Sequence, residues 1–539
     1  MNVGPFKPYK AMPSATSGGA WHRPIIAVCT LLFAVIIFCF YQFLYPYHFY
    51  YQEQNQLFLQ TGEYIRHYFD KPAGLSRLVG DWLTQYYYYR FAGPVILSLA
   101  VTITGLAVRW SLSAAGMRRA TWLVGLLVAT LLFAFTWHYS YLLSSVLSVL
   151  FSLLLFCGAA LLSRHIGNSI CRYALLLLPM PLSFVLFGYG WMVYAVCLLI
   201  LEASGRRRTG AVIALVSIFV MLLAVPATKR FYWLDAGDMY SWPGMGKIVK
   251  PEFDLETDFG AAAEYRLGNW DKVTAMVEAA PSPTEGQLFF YNLVQAQRGN
   301  LPNVILKYPD NYLGTFEKIG PSTPLLTLKR INELYWALGD ATFAERAALQ
   351  ALVFSPDNRN VGMIKRLAEV NIVSGDKKAA DKYLRLLCKT AVYHSWALAA
   401  PHNPVYAAKK AMVNRKDTLR TSDNAHVIMM ELLDSNPRNT VAIDYILCSD
   451  LMLKDIANFK RDYDRYCMRN GVGRIFPVYQ QALMIWLAGT GANQATWEKY
   501  IKMPELIKRF SDYNAMRGNS AFSDTYWYWF DTHKAPEIK

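Results

Sequence analysis

Between residues 46 and 92 the chain spaces Glu53, Arg66, Asp70, Lys71, Arg77, Asp81 and Arg90 along a stretch rich in tyrosine. A carboxylate just past an aromatic wall, as Glu53 is, can exchange a proton near neutral pH because partial desolvation favours its neutral form. Arginine and lysine held in place bind anions, arginine with two parallel donors on a phosphate. Each residue also has a plainer role. A carboxylate at an interface often caps a helix or pairs with a cation, and Asp70 before Lys71 and Pro72 suits a turn. Asp81 can simply face water, and His48 and His67 have no partners at metal-ligand spacing.

The elements that must position these residues are apolar. Runs at about 24–45, 93–113, 120–137, 141–163, 172–188, 190–203 and 209–228 carry almost no charge, and about 20 apolar residues cross a bilayer as a helix. The count is seven spans, although 172–203, with Pro179, Pro181 and Gly188-Tyr189-Gly190, reads either as two helices or as one long kinked one. Residues 46–92 are too long for a mere connector. FYQFLYPYHFYYQ and WLTQYYYYRF place tyrosines where an aromatic belt sits, and the segments between them have helix-like apolar spacing suited to lying on the outer leaflet.

Charge sets the orientation. Residues 1–228 hold 15 Lys and Arg against 5 Asp and Glu, so +10 of the total +15 punctuates the apolar runs. That distribution argues against nucleic-acid binding, whose basic footprint clusters on a soluble face. With the N-terminus cytoplasmic, Lys7, Lys10, Arg23, Arg109, Arg118, Arg119, Arg164, Arg172 and Arg206 to Arg208 all lie inside. The expected layout is a cytoplasmic tail 1–23, a membrane domain 24–228 with its outer loop 46–92, a linker 229–256 and a periplasmic domain 257–539, in a bacterial inner membrane. The first span reads as a signal anchor. Cys388, Cys448 and Cys467, widely spaced in the exported part, make no disulfide framework.

From about 257 onward one phrase recurs, an apolar helix, a Gly-Asx turn and a second amphipathic helix. The turn glycines are Gly268, Gly299, Gly339 and Gly375, spaced by 31, 40 and 36 residues, with Lys454-Asp455 as a degenerate turn further on. Those spacings bracket the roughly 34-residue period of tetratricopeptide repeats, which the region resembles. The fold class expected is therefore all-α, a polytopic helix bundle followed by an exported α-solenoid that offers a protein-binding face or shields the membrane domain.

The membrane part, residues 24–228, resembles the C-type glycosyltransferase module: a first span, acidic Glu53 early in the outer loop, a surface helix, then FDKPAGL before a second surface helix and the next span. It departs from that pattern in having a single Glu53 between Gln52 and Gln54, and Ala73 after Lys71-Pro72. The whole chain also resembles a family of multi-pass membrane proteins of Bacteroides-type bacteria. The glycosyltransferase resemblance implies transfer of a sugar from a polyprenyl-phosphate donor to an envelope acceptor outside the membrane. Under it Glu53 is the catalytic base, and Arg66, Lys71, Arg77 and Arg90, with Asp70, bind the donor as its phosphate leaves. Asp235 and Asp238, just after the last span, hold a divalent cation or orient the acceptor, and no other cofactor is indicated. The alternative is a non-catalytic, membrane-anchored repeat scaffold that binds a periplasmic protein. Transport lacks support, because charge buried mid-span is nearly absent.

Overall fold

The computed structural model describes residues 22–117, 120–205, 208–308, 311–315, 317, 319–413, 424–469 and 471–535, and every regular element among them is helical. Lys7, Lys10, Arg118, Arg119, Arg206 and Arg207, on which the expected orientation leans, lie outside the described residues, as does the side chain of Arg23. The chain forms two compact units. One comprises the residues up to Pro46 together with Ile65–Pro251; the other comprises Tyr47–Tyr64 and Glu252–Lys539. The stretch 46–92 is thus divided, its first third belonging with the helices of the C-terminal part.

In chain order the helices begin with α1 (His22–Cys39), α2 (Tyr47–Gln54), α3 (Gly62–Arg66), α4 (Gly74–Thr84), α5 (Ala92–Ala114), α6 (Thr121–Phe135) and α7 (Leu143–Ser163). They continue with α8 (Ser169–Leu177), α9 (Pro179–Phe187), α10 (Gly190–Ser204), α11 (Arg208–Ala227), α12 (Lys229–Tyr232) and α13 (Asp238–Ser241). Five helical stretches among the described residues are long and apolar enough to cross a membrane: Pro24–Leu44, Ala92–Ala114, Leu143–Ser163, Ser169–Phe187 and Arg208–Ala227. α6 and α10 are as apolar but have 15 residues each, about 22 Å of helix against a core of about 30 Å. Pro179 and Pro181 remove backbone donors between α8 and α9, yet Leu178 keeps right-handed dihedrals and the two run on as one span. The chain turns at Gly188, whose φ is +59°, so residues 172–203 form two helices.

This unit packs on small residues. Gly105 of α5 and Gly125 of α6 face each other so closely that a Cβ on either would strike the other's backbone, the close approach that helices use where lipid removes the hydrophobic drive between them. Its outer surface stays apolar, with Leu31, Phe219 and Leu223 all more than 60% exposed.

The second unit stacks helix on helix: α14 (Phe253–Arg266), α15 (Trp270–Glu278), α16 (Glu285–Gln297), α17 (Leu301–Val304), α18 (Leu325–Leu338), α19 (Ala341–Val353), α20 (Val361–Ser374) and α21 (Lys377–Leu387). The four turn glycines have φ of 79°, 69°, 83° and 88°, left-handed values that glycine adopts without a Cβ penalty. Lys454 takes the same conformation, φ 59°, without being glycine. Asp340, Asp376 and Asp455 then cap the following helices through their side chains. In a simple solenoid each repeat touches only its neighbours. Here the helix Thr440–Met452 packs back against α16, α17 and α18. Every residue from Val441 to Met452 is buried, and a helix apolar all round needs cover on every side. All eight cysteines are free thiols.

Candidate functional site

In the apolar unit the chain from Tyr68 to Asp81 turns sharply and enters α4 through Ala73, whose φ is 64°. The turn is pinned by the Ala73 amide donating to the Phe184 carbonyl at 3.4 Å, and α4 lies tight on α7 because Gly80 abuts the Ser144 backbone. Trp242 is fixed from the other side, its carbonyl accepting from the Tyr189 amide at 2.9 Å and resting against Gly188.

These constraints bring two of the expected donor-binding cations together. Lys71 Nζ and Arg77 Cζ each lie 4.9 Å from the Trp242 ring centroid, and Arg77 is 5.8 Å from the Tyr68 ring. Arg77 is 8% exposed. The Tyr68 hydroxyl donates to Asp81 at 2.8 Å, so Asp81 is engaged rather than directed at water. Nearby, the buried Trp242 Nε1 and the hydroxyls of Ser144 and Ser145 have no hydrogen-bond partner within the protein. A cluster of two cations and unmatched donors suits an oxyanion.

The other expected residues of this unit stand apart from the cluster in character. Arg66 and Arg90 are exposed, and Asp70 is exposed and paired with His67 at 2.7 Å. Asp235 and Asp238 are also exposed.

Glu53 lies in the second unit. α2 is threaded among its helices: the Val361 amide donates to the Gln56 carbonyl at 3.0 Å and the Gln60 amide to the Lys389 carbonyl at 2.8 Å. Glu53 is 1% exposed, with Tyr393 Oη donating to Oε1 at 2.8 Å and Gln54 Nε2 to Oε2 at 2.6 Å. Burial lifts its pKa to about 7 against the opposing pull of those two bonds. Glu256, which accepts from the Tyr47 and His48 amides, is lifted by burial to about 8.

One set of ligand-type side chains among the described residues comes within reach of a common ion: His426, Asp450 and Asp462, each offering an atom within 4.8 Å of the others. The imidazole lies between the carboxylates, Nδ1 3.2 Å from Asp450 and Nε2 3.0 Å from Asp462, and Arg461 Nη2 approaches Nε2 at 2.8 Å. The hydrogen bonds His426 donates to the two aspartates raise its pKa to about 9. The arrangement suits an imidazolium, and a cation there would have to displace Arg461.

Sequence reasoning missed Trp242, Tyr393 and the His426 set. SWPGMGK around Trp242 reads as a linker, and its only signal was an aromatic residue beside Pro243 in a stretch of low charge. Tyr393 lies 340 residues from Glu53, a separation that one sequence does not bridge.

The fold and site thus describe an all-helical protein in which an apolar unit carries a cation and indole cluster. The chain belongs to DUF6057, a family of unknown function, whose model matches residues 22–533. No curated protein and no solved structure matches it.

Proposed function

We propose that this is an integral membrane protein that binds the phosphate head of a polyprenyl lipid at Lys71, Trp242 and Arg77, and uses that lipid as a sugar donor in the manner of C-type glycosyltransferases. The observation that carries the reading is the pair of cations stacked on one indole beside unmatched hydroxyl and indole donors. A departing lipid phosphate needs such fixed positive charge. In this reading α6 and α10 complete seven spans, the second unit is a tetratricopeptide-like domain on the periplasmic side, and Glu53, with its pKa near 7, is the candidate base.

A second reading, the membrane-anchored scaffold, is favoured by a specific observation: Glu53 is buried with both oxygens already occupied, as a structural carboxylate would be. Two measurements separate them. Binding of a polyprenyl phosphate to the full chain in nanodiscs is expected to weaken at least tenfold in Arg77→Ala and less in Arg77→Lys. A deletion strain is expected to lose an envelope glycan that wild type restores and Glu53→Gln does not, at equal protein level. Lipid binding without any glycan change would leave the scaffold; no lipid binding in wild type would remove the donor site itself.

A further inference from the structure

The second unit holds a recess of about 60 Å³, walled by Tyr50, Tyr51, Phe259 and Phe290 and edged by Lys329 and Arg266. Apolar walls with a few polar groups are the usual lining of small-molecule sites. Tyr51 stacks on Phe259 with centroids 4.1 Å apart, which makes that wall rigid.

Lys329 is the informative residue. It is 7% exposed, and its ammonium donates to Asn55 Oδ1 at 2.6 Å and sits 4.6 Å from the Tyr51 centroid. Among the described residues no carboxylate forms an ion pair with it; Glu53 and Glu333 act on it only as more distant charges. Glu333 is already shared by Arg266 at 2.7 Å and Arg366 at 2.6 Å. Asp258, on the recess wall, is bound by the Thr284 hydroxyl. Arg330, also on the wall, is paired with Glu317 at 3.0 Å. Each of these carboxylates is thus already held by another partner, and a buried ammonium without a counter-ion is costly. Burial accordingly pushes the Lys329 pKa well below the usual lysine value.

We infer that this recess is a binding site for a small amphiphilic anion, an apolar ring or short chain bearing one carboxylate or phosphate, whose charge pairs with Lys329 while its apolar body lies against Tyr50, Tyr51 and Phe259. The site belongs wholly to the second unit and stands independently of the donor reading.

The test uses the full chain in detergent with three probes: phenyl phosphate, benzoate and inorganic phosphate. Calorimetry is expected to show phenyl phosphate or benzoate binding, with inorganic phosphate at least tenfold weaker because it lacks the apolar body. Lys329→Met is expected to abolish binding of the ring-bearing probes and to melt no lower than wild type, since it removes an unpaired buried charge. Should that variant fail to fold, Leu326→Trp, which fills the recess from its apolar wall, is expected to block the probes with the charge network intact. Absence of binding by both ring-bearing probes in wild type, or equal binding by wild type and Leu326→Trp, overturns the inference.

Discussion

The two units bury charge differently. Among the described residues of the apolar unit one carboxylate is buried, Glu202, which pairs with Arg172 at 2.5 Å, and Arg77 is the other buried charged side chain. The second unit buries Glu53, Glu256, Glu264, Lys329, Glu333, Arg366, Asp444, Asp450 and Asp462. The apolar unit instead exposes large side chains across its surface and sets small hydroxyl side chains among its buried apolar ones, as Ser144, Ser145, Ser148 and Ser152 on α7 illustrate. The contrast is the one expected if the first unit lies in lipid and the second in water. A unit bathed in lipid finds partners for backbone groups within helices and gains nothing by burying ions. A helical stack in water can sink ion pairs between its layers where each is multiply bonded.

The largest effect should come from breaking the densest of those pairs. Glu333→Ala leaves Arg266 and Arg366 without their shared carboxylate and is expected to cost about 3–5 kcal/mol, read by denaturant unfolding of the purified chain. Glu202→Ala, which frees one partly exposed arginine, is expected to cost less.

The solvent contrast itself is tested by one substitution at two leucines of equal exposure. Leu127 in α6 and Leu398 in the second unit are each 60% exposed. Leu127→Arg is expected to impair membrane insertion by about 3 kcal/mol, whereas Leu398→Arg should stay within about 0.5 kcal/mol. Equal effects would place both surfaces in the same medium.

His426→Ala removes the partner of buried Asp450, while Asp462 keeps Arg461 at 2.9 Å, and a loss of about 2 kcal/mol is expected in thermal melts near neutral pH. The wild-type contribution has a defined window. With its folded pKa raised to about 9 from 6.5, His426 binds its proton more tightly folded than unfolded. Its stabilisation is complete below about pH 6.5 and fades as pH rises through about 9. The variant should lack that decline.

The smallest effect is Glu53's own pH slope. Its folded pKa of about 7 lies above 4.5, so the folded protein holds an extra proton between those values and stability falls as pH rises through them. Glu256, raised to about 8, acts with the same sign. The difference in melting temperature between wild type and Glu53→Gln, followed from pH 4.5 to 8, is expected to isolate the Glu53 share.

Local pattern settled much about this protein. Runs almost without charge marked every long apolar helix among the described residues, because one apolar residue after another leaves a chain no water-facing side. Gly268, Gly299, Gly339 and Gly375 marked helix ends, because left-handed turns favour glycine wherever they occur. Lys71 and Arg77 were legible only as two of four outer-loop cations, with Arg66 and Arg90. That they share Trp242, and that Tyr47–Tyr64 packs with helices beginning two hundred residues later, was decided only by tertiary structure. So was the burial of Glu53 under Tyr393. Proximity along the chain sets secondary structure through hydrogen bonds a few residues long. Which distant side chain desolvates a carboxylate or faces a cation depends on how helices stack, and that choice is spread over the whole packed interior.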